Sequence, residues 1–372
     1  MAERGSALRR AATRAARALM LVPAALQRTG GVNGLAKRVA QIYRQQGWRG
    51  IKTTLRVLIG GSAPLHRTHY GRWRASYDTL DDASRAAIRQ RVAKMPSPPL
   101  VSVLMPVYDA GDQFLRAAID SVLAQLYPHW ELCIADDASP SEATRTLLAQ
   151  YAARDARIKL VLRPANGHIC AASNSALELA TGSWVALMDH DDLLPEHALF
   201  CLAEAIVANP PAQLIYSDEE KIDEQGRHSA PYFKPRWNWE LIRSQNFFSH
   251  LGAYRSELVR AVGGFRPGFE GAQDHDLVLR CAERVNVATE IVHIPRVLYH
   301  WRVHAASTAD SLEAKPYAQQ AGVRALNEHL IRQGIAGHAE ATPVGYRVHY
   351  EVPQPAPLVS ILIPTRNAVA LV

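Results

Sequence analysis

Only four cysteines occur in the 372 residues, at 133, 170, 201 and 281, and no C-x-x-C pair is among them. That spacing argues against a disulfide framework or a zinc site. Three of the four sit in apolar stretches, as reduced core thiols do, which points to a reducing compartment. Long apolar runs are missing as well. No window approaches the ~20 residues that a membrane-spanning helix requires, and the longest, Ala18 to Leu26, contains Pro23. Acidic residues are absent from Arg4 to Tyr77, which holds fifteen Lys or Arg. The formal charge of +7 is therefore a difference of opposites: +14 over residues 1–77, with Glu3 counted, and −7 over the rest, where 27 basic residues face 34 acidic ones.

A basic arm on an acidic body needs two explanations. The basic character runs beyond the length of a cleavable leader, and residues 1–60 read as basic helices broken at Gly30-Gly31 and Gly60-Gly61. The expectation is a peripheral arm lying on an anionic membrane surface, each Lys or Arg contributing on the order of 1 kcal/mol. The competing reading is a solvated helical hairpin packed on the body. No nucleic-acid partner is expected.

What is present is an ordinary globular composition, 48% hydrophobic and 21% charged. Leu80 to Lys94 has helical spacing and stops at Met95-Pro96-Ser97-Pro98-Pro99, the clearest linker in the chain. Beyond it, short apolar runs at Leu100–Met105, Trp130–Ala135, Ile158–Leu162 and Trp184–Met188 alternate with helical segments at Phe114–Gln125, Ser141–Ala153 and Ala171–Ala180. This alternation implies an α/β fold, a mostly parallel twisted sheet flanked by helices. Ligands in such sheets bind beyond the carboxyl ends of the strands. Tyr108-Asp109, Asp136-Asp137 and Asp189-His190-Asp191-Asp192 all follow strands, so the carboxylates gather on one edge.

The segment PLVSVLMPVYDA at 99–110 returns as PLVSILIPTRNA at 357–368, identical at seven of twelve positions, each copy behind a proline-rich stretch. The expectation is a tandem arrangement: 1–97 a basic helical region and linker, 98–305 a catalytic domain, 306–350 a helical extension and connector, and 351–372 a linker with the first strand of a second unit. A lone strand has nothing to pair with, so this last segment should be poorly anchored.

Asp189 and Asp191 alternate directly after an apolar strand, which puts two hard oxygens on one side of the chain, suited to Mg²⁺ or Mn²⁺ on a diphosphate. An acidic turn capping the next helix is the plain alternative. Asp136 and Asp137 could accept a hydrogen bond from a base, or cap a helix. Asp274, in Gln273-Asp274-His275-Asp276, is placed to act as a general base in a pocket already acidic. Gly263, Gly264, Gly268 and Gly271 before it suggest a closing loop. Tyr299-His300-Trp301-Arg302-Val303-His304 offers a further metal ligand or simply packed side chains. Tyr232 to Trp239 offers either a sugar-stacking surface or core.

In order and spacing, VSVLMPVYD, ADDAS, LATGSWVALMDHDD and GFEGAQDHDLVLRC resemble the family 2 glycosyltransferases with the A-type nucleotide-binding fold, over roughly residues 98–305. The likeness is greatest to tandem bacterial enzymes of surface-polysaccharide synthesis. The resemblance implies a catalytic base at Asp274, a nucleobase contact at Asp136 or Asp137 and metal ligands at Asp189 and Asp191; beside these, Pro106, Tyr108, Asn174 and Asp189 are expected to meet the nucleotide, His304 to add a metal ligand, and Lys234, Trp237 and His275 to meet the acceptor. It further implies a UDP- or dTDP-linked sugar donor, a glycan or lipid-linked acceptor, inverting transfer of a hexosyl or deoxyhexosyl group, and a place on the cytoplasmic face of a bacterial inner membrane. Two departures stand out. Gln273 occupies the position where Glu is common, and Ala172-Ser173-Asn174 replaces Ala-Arg-Asn, which leaves Arg163 or Arg302 to meet phosphate.

Two rivals are weighed against this. A sugar-1-phosphate nucleotidyltransferase would want a glycine-rich, Arg-bearing loop after the first strand, and Val107 to Asp112 is acidic with one glycine. A catalytically silent glycan-binding or scaffold module has little reason to keep three carboxylate clusters on one sheet edge.

Overall fold

The computed structural model describes residues 64–303 and 316–364. The basic arm at 1–60, His304 and the last eight residues lie outside them. The chain divides into two compact units, Met1–Thr79 and Leu80–Val372. Within the first, helix α1 (Pro64–Tyr77) is described. Trp73 stacks on Tyr70 one turn back, and Arg74 pairs with Asp78 at 3.5 Å.

The second unit opens with α2 (Asp82–Ala93), started by Asp81, whose carboxylate accepts from Ser84 N at 2.8 Å. Ile88 enters the core, so the unit begins ahead of the proline run. The sheet follows with the alternation expected: β1 (Val101–Val107), α3 (Asp112–Leu123), β2 (Trp130–Asp136), α4 (Glu142–Arg154), β3 (Ile158–Leu162), α5 (His168–Leu179), β4 (Trp184–Leu187) and α6 (Ala198–Ala208). Strands β3-β2-β1-β4 lie side by side and parallel. Their sides alternate cleanly: Val103, Met105, Leu132 and Ile134 pack with α3, α4 and α6, while Leu104, Cys133 and Ala135 pack with α5. Both faces are covered, which is why these strands read as unbroken apolar runs.

The other half of the sheet is antiparallel in part, and the sequence pattern did not announce it. It contains β5 (Leu214–Asp223), β6 (His228–Tyr232), α7 (Trp239–Ser244), β7 (Gly252–Arg255), α8 (Ser256–Ala261), α9 (Gln273–Ala282) and β8 (Ile291–Val303). Strand β7 runs antiparallel to both β4 and β5, β6 is antiparallel to β5, and β8 is parallel to β5. Where a helical extension and connector were expected, α10 (Pro316–Arg332) leads into a hairpin, β9 (Gly337–Thr342) with β10 (Gly345–Tyr350). Residues 351–364 form no strand, and Leu358 and Leu362 are 97% and 88% exposed. All four cysteines are buried, and burial pushes the Cys133, Cys170 and Cys281 thiols up to about 12. No described helix is long and apolar enough to cross a membrane.

Candidate active site

The carboxyl ends of β1, β2 and β4 open into a cleft of about 1330 Å³. Its other walls come from β5, the loop 245–250, the first turns of α9 and α10, and the hairpin turn at Val344–Tyr346. Pro106, Tyr108, Asp137, Asp189, Asp191, Asp274 and His275 all line it, so seven of the residues singled out by sequence meet in one place.

On the β1–β2 side, Asp137 is nearly enclosed. Arg163 pairs with it, and Gly167 N donates to both carboxylate oxygens at 3.0 and 3.2 Å. Arg163 is thereby committed to an acid. Asp136 is fully buried, accepts from Ser139 N at 3.2 Å and does not line the cleft; its Oδ1 has no partner among the described residues. Its role is to shape the turn that follows β2, which leaves Asp137, itself buried, as the member of the pair that borders the cleft.

Asn174 does not face the cleft either. Its amide donates to Phe265 O at 2.7 Å and accepts from Phe265 N at 2.9 Å. Gly264 makes room for this with a φ of +66, and a Cβ there would meet Asn174 Oδ1 at 2.5 Å. The Asn is a clamp on the 263–265 turn.

At the end of β4 the three acids part company. Asp189 is half exposed on the cleft, and Asp191 lies beside it. Asp192 is buried: Tyr299 OH donates to one oxygen at 2.6 Å, Arg302 N to the other at 2.7 Å, and Arg302 Nε reaches Asp191 O at 2.7 Å. Arg302 therefore supports the acidic turn. Desolvation by the surrounding protein pushes the Asp189 carboxyl up from 3.8 although its side chain reaches the cleft, with Asp191 and Asp274 adding to the rise and His250 pulling against it. Burial, followed by Asp189 and Asp191, holds Asp192 well above its ordinary value. The ligand atoms of Asp189, Asp192 and His250 lie within 4.8 Å of one another. Raised carboxylates converging with an imidazole form a donor set that a divalent cation fits.

Across the cleft, α9 begins at Gln273, so Asp274 sits in its first turn. Asn246 Nδ2 donates to Asp274 Oδ2 at 2.7 Å, while Oδ1 accepts from His275 N at 2.9 Å. Asp276 is occupied elsewhere, paired with Arg266 and Arg280. His275 borders the cleft with its ring buried, and its Nε2 lies 2.7 Å from Ile242 O.

The acceptor surface expected at Lys234 and Trp237 is not one. The Lys234 side chain is fully buried, paired with Glu219 at 2.9 Å and donating to Phe248 O and His250 O. Burial lowers its pKa, against the pull of Glu219. Trp237 packs edge-on against Trp239 and beside Phe247 within an aromatic cluster. Asn246, His250 and Glu219 bear on the site, and sequence reasoning missed all three. The run Ser244 to Gly252 has neither a carboxylate pair nor a metal-ligand spacing to mark it.

Residues 102–263 match the family model described as Glycosyl transferase family 2. An uncharacterized protein, y4gI, of Sinorhizobium fredii is 48% identical over 283 residues, 75% of this chain and 31% of its own. The O-antigen biosynthesis protein RfbC of Myxococcus xanthus is 35% identical over 347 residues, 93% of this chain and 27% of its own. The chain thus spans about a third of the length of these relatives. Among solved structures, S. aureus TarS 1–349 in complex with UDP-GlcNAc superposes with a TM-score of 0.51 at 18% identity, covering 62% of this chain and 66% of that one, a likeness of fold. The matched family model, with the ordered carboxylates on one sheet edge, makes residues 102–263 a glycosyl transferase family 2 domain.

Proposed function

We propose that residues 98–305 form the catalytic domain of an inverting transferase. It would move a hexosyl or deoxyhexosyl group from a UDP- or dTDP-linked sugar to a hydroxyl of a glycan or lipid-linked acceptor in bacterial surface-polysaccharide synthesis. The observation that carries this reading is the meeting of Asp189 and Asp274 in one cleft, the two near enough for Asp274 to raise the Asp189 pKa. Asp137, Tyr108 and Pro106 take the nucleotide on the β1–β2 side. Asp189 and Asp191, with His304 outside the described residues, hold a Mg²⁺ or Mn²⁺ ion, which when bound offsets charge on the departing nucleoside diphosphate. Asp274 takes the proton of the acceptor hydroxyl as its oxygen bonds to the anomeric carbon and the bond from that carbon to phosphate breaks. Asn246 fixes the carboxylate for that transfer. The hairpin turn at Val344–Tyr346, on the Asp274 side, is the wall available to an acceptor.

Two further parts of this reading concern the flanks. The basic arm lies against an anionic inner-membrane surface on the cytoplasmic side. Residues 351–372 are a linker and the opening strand of a second, similar unit, which accounts for apolar side chains standing exposed at 359–363 while their counterparts at 101–105 in β1 are buried.

The test is calorimetric binding of UDP and dTDP with Mn²⁺, beside transfer from radiolabelled sugar nucleotides. Asp274→Asn should cut turnover by about 10²–10⁴-fold with nucleotide binding kept. If neither nucleotide binds, and Asp189→Ala changes nothing, the catalytic reading is wrong. Binding without any transfer would leave the silent module.

A further inference from the structure

We propose that His250 supplies an imidazole ligand to the cation held by Asp189. The inference rests on the cation reading above and adds a residue that neither the D-x-D spacing nor the match of motifs points to.

The ring of His250 is held by two aromatic neighbours. It stacks on Tyr299 with centroids 4.4 Å apart and planes 13° off parallel, and Trp301 meets it edge to face at 5.9 Å. The main chain of the same residue is fixed at both ends by one buried ion pair: His250 N donates to Glu219 Oε2 at 3.2 Å, and Lys234 Nζ donates to His250 O. Nδ1 is buried and has no hydrogen-bond partner among the described residues. Nε2 faces Asp189 Oδ2 at 3.9 Å.

That separation is too long for a hydrogen bond. It lies within reach of one ion, between the roughly 3 Å of neighbouring ligand atoms and the roughly 4.3 Å of opposite ones that bonds of about 2.1–2.2 Å produce. The tautomer required carries its proton on Nδ1. Tyr299 serves both sides of the site, stacking under His250, donating to Asp192 and accepting from Asp189 N at 3.1 Å. The ring and the acidic turn are therefore positioned by one side chain, as expected where ligands from separate elements must converge. The loop that carries His250 also carries Asn246, which holds Asp274. Segment 246–250 thus ties the cation to the base. An imidazole among carboxylates also favours Mn²⁺ over Mg²⁺, which prefers an all-oxygen shell.

The experiment is pulsed electron paramagnetic resonance on the full chain loaded with Mn²⁺ alone, with Mn²⁺ affinity measured in parallel. Wild type should show nitrogen coupling to the ion, and uniform ¹⁵N-histidine labelling should change it, a measurement that needs no variant. His250→Gln should remove one nitrogen from the coupling and weaken Mn²⁺ by on the order of tenfold or more, with a smaller loss for Mg²⁺; His304→Gln should keep the His250 contribution. Mn²⁺ binding that depends on Asp189 but shows no histidine nitrogen, or a coupling unchanged in His250→Gln, overturns the assignment while the cation reading stands. Mn²⁺ binding indifferent to Asp189→Ala removes the cation reading and the His250 ligand with it.

Discussion

The two edges of the same sheet treat buried acids in opposite ways. At the amino ends of the parallel strands, Glu131 is almost wholly buried and surrounded by donors. Ser102 Oγ and Thr181 N lie at 2.6 Å, Thr181 Oγ1 at 2.9 Å, Gly182 N at 3.2 Å and Lys159 Nζ at 2.6 Å. Gly182 permits this closeness, because a Cβ there would meet Leu100 O at 2.5 Å. Burial alone would push Glu131 up, but these donors, Lys159 foremost, hold it down at about 2. At the carboxyl ends, Asp189 and Asp192 are pushed up. An acid that is fully paired stabilises a fold, whereas acids left raised and gathered mark where something else is meant to bind.

The sharpest way to break this contrast is to remove a buried cation already built into the carboxyl edge. Lys234→Met leaves Glu219 buried without its partner and frees the carbonyls of Phe248 and His250. Loss of one member of a buried pair costs about 3–5 kcal/mol, and urea unfolding at neutral pH should show it. A change under about 1 kcal/mol would mean that Glu219 simply takes up a proton or water, and that the clamp on the 246–250 loop is weak.

A smaller effect should follow from filling the carboxyl edge. Without a cation, the raised folded-state pKa values of Asp189 and Asp192 mean that the native state keeps protons which the unfolded chain releases. Their contribution therefore falls as pH climbs above the ordinary 3.8 toward the raised values. A cation that holds both acids ionised reverses this. At about a hundredfold excess over its Kd, Mn²⁺ should add about 2.7 kcal/mol to the unfolding free energy at pH 7, read as a shift in urea midpoint. Asp189→Ala should abolish the gain. An equal gain in that variant would mean the ion binds somewhere else.

Sequence and structure part along the same line. The parallel half was legible because its strands are short apolar runs in which charge is confined to Glu131 and Lys159 near the amino ends and to Asp136 at the close of β2, so Ile158–Leu162 and the start of β2 fall where apolar runs predict, and Asp137 and Asp189 follow directly. In the other half, β5 buries Asp218, Glu219 and Glu220 mid-strand and also carries Ser217, Lys221 and Asp223, and no apolar run or alternation survives that. Lys234 read as a surface contact because lysine is rarely enclosed; only the three-dimensional approach of Glu219 explains its burial. His250 had no partner in sequence, since its neighbours come from β4, β5 and β8. The hairpin Gly337–Tyr350 was hidden by short, half-exposed strands with little apolar pattern.

The smallest expected effect tests the paired edge. Glu131 has a folded-state pKa near 2 against an ordinary 4.5, so its contribution is fully present above 4.5 and is lost as pH falls through the window down to about 2. Hydrogen bonds to a buried charge of this kind contribute on the order of 1.5–3 kcal/mol. Glu131→Gln should therefore lower stability at pH 7 by about that amount and flatten the acid limb between pH 4.5 and 2. Because the residue lies at the amino ends of the strands, away from the cleft, nucleotide binding at 25 °C should be unchanged. If Glu131→Gln weakens UDP binding while stability holds, the edges are coupled through the Thr181-Gly182 turn that leads into β4 and its acids. The division between a structural edge and a binding edge would then fail, because the turn pinned by Glu131 would be setting the position of Asp189.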